Sequence, residues 1–256
     1  MVAGGLLPAR LTFVIMAAVG VATASDAARA DCGPGTFAIA IDVGHSPDEP
    51  GAISARGRAE FDFNQDLAWV LRAALHERGF VAAELLSVFR EIRSLDDRTA
   101  AAAAMNAQVF LSVHHDSVQE RYLEFWQPPG ADTPLSYSWH AEGYSLFVSE
   151  ENPFPEASLF LARLVGEELQ AGGFRYSPHH AEPIPGEGRE LLDAEVGVYR
   201  FDRLFVLRRN HAPAMLIEAG VIKHPDEELR LQDPAFQAAF AAAVAEGVVR
   251  YCEAFR

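Results

Sequence analysis

Basic residues are scarce in this chain. Against 36 aspartates and glutamates it carries 21 lysines and arginines, for a formal net charge of −15. That balance excludes most nucleic-acid binding, which needs a basic footprint, and argues against adhesion to anionic surfaces by bulk electrostatics. An anionic substrate must therefore be held by a local positive feature, such as a cation. Cysteine is nearly absent. Cys32 and Cys252 lie near opposite ends of the chain, and neither has a histidine or second cysteine at a spacing that suits a zinc ligand or nucleophile. In an oxidising compartment the two could be bridged; a pair of unlinked thiols is the alternative. Also missing are a contiguous H-E-x-x-H motif and, past the N-terminus, any apolar run long enough to span a membrane.

The N-terminus reads as a leader. Arg10 precedes the apolar run from Leu11 to Ala22, followed by small residues with A-x-A sites at Ala22–Ala24 and Ala28–Ala30. This is the layout of a secretory signal peptide over residues 1–30, with an uncleaved anchor as the alternative. Residues 31–256 are then the mature domain, and its expected place is the periplasm or the exterior.

Three short apolar runs organise that domain. Phe37–Val43 leads to His45, Val109–Val113 ends in His114, and Ala214–Ile217 ends in Glu218. Runs this short, separated by helical patterns, predict buried parallel strands. Apolar residues at helical spacing predict helices from Glu60 to Gly79, Asp97 to Asn106 and Pro155 to Gln170, and a last one opened by Asp233-Pro234. Further strands are expected at Phe80–Phe89, Tyr144–Ser149 and Arg203–Arg208. The fold class is α/β: one domain, a twisted, mostly parallel sheet with helices on both faces. Residues 117–143 are irregular and aromatic, and read as a surface flap packed on its own rings or as a lid or sugar-stacking wall.

Ligands of open α/β sheets gather at the carboxyl ends of strands. Two histidines and a carboxylate are a common catalytic zinc set, so His45, Glu60 and His114 are the candidate metal ligands. Glu218 is the candidate general base, with a strand-end salt bridge as the alternative role. His115 should face away from His114 if the strand continues. The pair His179-His180, in a Pro/Gly loop, is either a solvated loop feature or part of a substrate groove.

Ile41-Asp-Val-Gly-His45, Gly57-Arg-Ala-Glu60 with Asn64, Leu111-Ser-Val-His114-His-Asp-Ser117 and Met215-Leu-Ile-Glu218-Ala-Gly220 resemble the motifs of the zinc-dependent N-acetylmuramoyl-L-alanine amidases. The order matches from Phe37 to the C-terminus. The resemblance implies Zn2+ held by His45, Glu60 and His114, with Glu218 as the catalytic glutamate. It also implies support of the ligands by Asn64, and places Arg208, in a V-L-R segment, near the substrate. The implied reaction is metal-assisted hydrolysis of the amide between N-acetylmuramic acid and L-alanine, with peptidoglycan or muropeptides as partners and a protein activator left open. Val43, Ser46, Ala219 and Val221 depart from the family pattern, which bears on substrate fit and leaves ligands and base in place. A zinc peptidase acting on free peptides and a non-catalytic wall-binding module of the same fold are the alternatives.

Overall fold

The computed structural model describes residues 1, 33, 35–86, 94–130 and 132–254; the expected leader lies outside them, apart from Met1. The sheet is built from β1 (Ile39–Val43), β2 (Ala83–Leu85), β3 (Val109–Asp116), β6 (Ser145–Val148), β7 (Leu191–Asp193), β8 (Val198–Arg200) and β9 (Ala214–Val221). Their order is β2-β1-β3-β9-β6-β8-β7. The first four run parallel, β6 is antiparallel to β9, β8 is parallel to β6, and β7 closes the edge antiparallel to β8. The expected mostly parallel sheet is present. Continuous apolar runs such as Ile39-Ala-Ile41 belong in strands covered on both faces.

Alternation along β1 and β3 divides the core in two. Ile39, Ile41, Val43, Leu111 and Val113 point to one face, where they meet Phe63, Leu67 and Leu71 of α1 (Glu60–Glu77), Leu161 and Val165 of α3 (Pro155–Ala171), and Phe240 and Val244 of α6 (Pro234–Glu253). Ala40, Phe110, Ala214 and Leu216 point to the other face, under Ala102 of α2 (Leu95–Ala104) and Val206 and Leu207 of α4 (Phe205–Arg208). Each fully buried Phe or Leu there contributes roughly 1.5–3 kcal/mol. α2 starts at Ser94, whose side chain and that of Asp97 cap each other's backbone N–H at 3.0 Å. α5 (Pro225–Leu231) follows β9. No helix among the described residues is long and apolar enough to cross a membrane.

Several expectations need correction. Phe205–Arg208 is one turn of helix, because β7 already occupies the sheet edge beside β8 and the apolar Val206 and Leu207 are buried as a plug against the sheet face. Of the strand expected at Phe80–Phe89, Ala83–Leu85 pairs with β1, and residues 87–93 lie outside the described part. The aromatic segment 117–143 holds an antiparallel hairpin of β4 (Glu124–Trp126) and β5 (Leu135–Tyr137). Phe125, Trp126 and Trp139 are all exposed, though Trp126 donates its indole N–H to Ala55 O at 3.0 Å and Trp139 meets Tyr137 edge-on at 6.3 Å, so the segment is only partly packed on its own rings. Cys252 is buried in a disulfide; Cys32, the chain's other cysteine, lies outside the described residues.

Candidate metal centre

At the carboxyl end of β1 the backbone makes a sharp departure: His45 has φ 66°, a left-handed conformation that is uncommon without glycine. Its hold comes from α2, which lines the same groove as His45 and His114. Arg98 of α2, buried, donates to Asp42 Oδ1 at 2.7 Å, to Val43 O at 2.5 Å and to His45 O. Ser112 of β3 donates to the other oxygen of Asp42 at 2.8 Å. One guanidinium thus fixes the three residues that aim His45, a task that suits a planar fork of several donors.

The three sequence-predicted ligands meet. Glu60, the first residue of α1, places Oε2 3.0 Å from His45 Nε2 and Oε1 3.0 Å from His114 Nδ1. One donor atom from each residue lies within 4.8 Å of the other two, and the imidazoles cross at 5.0 Å between centroids. Two glycines make the room. A Cβ on Gly44 would come within 2.4 Å of the His114 ring; one on Gly51, at φ 78°, would reach 2.5 Å from Glu60 Oε2 and 2.7 Å from His45 Cδ2. Burial would raise the proton affinity of Glu60, but hydrogen bonds and charge from His114 and then His45 hold it well below the usual carboxylate range. A carboxylate kept ionised against two imidazoles, in space cleared by glycine, is a donor set that fits zinc.

Asn64 braces this group. Its amide donates to Gly44 O at 3.2 Å and Glu60 Oε1 at 3.3 Å, and its oxygen accepts from His115 Nδ1 at 2.8 Å. His115 is itself buried against Phe63. Burial pushes its proton affinity down to about 3, so it is neutral and serves as a donor. Glu218 stands directly opposite His114 in the β3–β9 ladder. Its Oε2 is buried without a hydrogen-bond partner. Burial, then the negative charges of Asp116 and Glu60, raise its proton affinity well above the ordinary range. A groove of about 340 Å³ opens beside the two histidines, lined also by Ser46, Glu49, Leu204 and Phe205.

Residues 39–250 match the family model described as N-acetylmuramoyl-L-alanine amidase. The chain belongs to that amidase family. Among curated relatives, N-acetylmuramoyl-L-alanine amidase AmiA of Escherichia coli is 26% identical over 234 residues, which is 85% of this chain and 76% of the relative. The solved catalytic domain of CwlV from Bacillus (Paenibacillus) polymyxa superposes with a TM-score of 0.61 at 22% identity, covering 84% of this chain and 98% of that one. An N-acetylmuramoyl-L-alanine amidase from Clostridium difficile 630 gives 0.63 at 22% identity, covering 86% and 98%. These likenesses carry the amidase fold.

Other predicted residues of this amidase-family chain sit apart from the ligand group. Arg208, at the end of α4, approaches Glu151 at 3.8 Å, with its buried Nε unpartnered. His179 and His180 are buried and gather on Asp116, so the solvated-loop reading of that pair does not hold. Sequence reasoning missed Arg98, whose only signal was a lone arginine in an alanine-rich helix. It also set aside His115, which stands in plain view beside the candidate ligand His114.

Proposed function

We propose that this chain is a zinc-dependent N-acetylmuramoyl-L-alanine amidase acting on peptidoglycan outside the cytoplasm. The observation that carries the proposal is the convergence of His45, Glu60 and His114, drawn from two strand ends and a helix start, with Glu218 on the adjoining strand. These three residues would hold the metal. Zinc bound there supplies a Lewis acid for the amide carbonyl between the lactyl group of muramic acid and L-alanine. Glu218, with its raised proton affinity, is suited to take a proton from the attacking water and deliver it to the departing alanine nitrogen. Asn64 keeps the Glu60 carboxylate and the Gly44 carbonyl in register, and Arg98 keeps His45 turned toward the groove. Arg208 shares α4 with Phe205, which lines the groove, and its guanidinium lies 5.9 Å over that ring, which supports a role toward an anionic stem peptide.

Incubation with purified peptidoglycan tests the reading. The expected products are peptides beginning with L-alanine and glycan freed of its stems, with release abolished by a chelator and restored by Zn2+. Intact stems after zinc is restored would refute it. A protein activator would be recognised as a factor that raises this release without cleaving peptidoglycan itself.

A further inference from the structure

Two residues beyond His114, on the same face of β3, Asp116 receives a second pair of histidines. We propose that Asp116, His179 and His180 form a second site for a divalent transition cation of the zinc class, distinct from the His45–Glu60–His114 group. Asp116 Oδ2 lies 3.2 Å from His179 Nε2 and 2.8 Å from His180 Nε2, and the three donor atoms fall within 4.8 Å of one another. The chemistry repeats that of the first group: two imidazole nitrogens and a carboxylate oxygen.

The far nitrogen of each imidazole has its own partner. His179 Nδ1 is 2.8 Å from Ser177 Oγ. His180 Nδ1 is 3.0 Å from Glu187 Oε2 and, at the longer distance of 3.3 Å, faces Arg189 Nη1, which also holds Glu187. A partner on Nδ1 that takes its proton leaves the Nε2 lone pair free, which is how metal-bound histidines are commonly oriented. Both Nε2 atoms then point at one carboxylate oxygen. An ion pair between Asp116 and a protonated His180 would explain half of this arrangement. It leaves His179 Nε2 unexplained: the residue is 96% buried, and that nitrogen has no hydrogen-bond partner despite its proximity to Asp116. A buried polar nitrogen left so is costly, and a cation would satisfy both rings together. Because His179 and His180 lie in a short 3-10 turn (His179–Ala181) between α3 and β7, the bound ion would fasten that turn to the end of β3.

The inference does not rest on the amidase reading, and its test is kept separate from activity. Metal-free protein is loaded with Zn2+ alone, gel-filtered and assayed for zinc per chain. We expect two equivalents in the wild type, one in His45→Ala/His114→Ala, and none when His179→Ala and His180→Ala are added. The nearly isosteric Asp116→Asn alone should bring the wild-type value from two to one, with circular dichroism confirming a native fold. A wild type that binds one equivalent, lost with His45 and His114, overturns the proposal; so does a second equivalent indifferent to Asp116, His179 and His180.

Discussion

Substituting Gly44 by alanine is the sharpest probe of the ligand geometry. The new Cβ would stand 2.4 Å from two atoms of the His114 ring and 2.6 Å from a third. That approach falls 1.0 Å short of the 3.4 Å at which ordinary van der Waals contact begins. The ring cannot yield cheaply, because its Nδ1 is tied to Glu60 and its strand is hydrogen-bonded on both sides. Coordination tolerates deviations of only about 0.2 Å, so a displacement near 1 Å should weaken zinc binding by roughly 10–100-fold, the range seen when support of a ligand is lost. Misplacement on that scale should lower turnover by about 100-fold, with about 1–3 kcal/mol lost from stability through overpacking. Zinc affinity by competition with a chromogenic chelator and stem-peptide release by mass spectrometry give the two numbers. Gly35→Ala, with nothing within 4 Å of the new Cβ, is the matched control. Wild-type zinc affinity and turnover in Gly44→Ala would refute the argument that this glycine clears space for a working His114.

Glu218→Gln should keep its zinc by elemental analysis while losing about 100- to 10,000-fold in turnover; near-normal hydrolysis would remove Glu218 from the reaction. Arg98→Ala leaves Asp42 buried without its arginine and should cost about 3–5 kcal/mol by urea unfolding, and Arg98→Lys should recover only part of this, since an ammonium cannot reproduce the fork. Glu227, which accepts from Gly143 N and Val221 N, has its proton affinity raised by burial from 4.5 to about 7. The folded chain therefore holds that proton more tightly than the unfolded one, so the stabilisation is complete below about pH 4.5 and is lost as pH rises through 7. Relative to Glu227→Gln, the wild type should lose about 3 kcal/mol between pH 4.5 and 8, and parallel stability curves would contradict this.

The convergence of the candidate ligands and Glu218 was legible because β1, β3 and β9 each announce their own end, where an apolar run gives way to His45, His114 or Glu218, and because Glu60 opens the helix after β1. The alternation of such runs with helical spacing was enough for the parallel half of the sheet. What escaped did so for physical reasons. Phe205-Val-Leu-Arg208 is too short for periodicity to separate a strand from a buried helical turn. β7 and β8 have three residues each, and their pairing is decided by the neighbouring strand rather than by their own pattern. The β4–β5 hairpin is equally short and half exposed, so its aromatics show no alternation. Arg98 and the Asp116 cluster join residues more than fifty positions apart, which no local spacing can reveal; only the closing of the sheet brings them together.

The grip of Arg98 ties the fate of His45 to a ten-residue helix that lines the same groove. Short helices laid on a sheet's face open more readily than the sheet's central strands. Each opening of α2 would free the left-handed turn at His45 to relax, and under the proposed zinc reading a ligand would leave the group without any strand unzipping. Amide protons of residues 95–104 and the outward leakage of zinc should consequently share one clock, slowed by whatever steadies that helix.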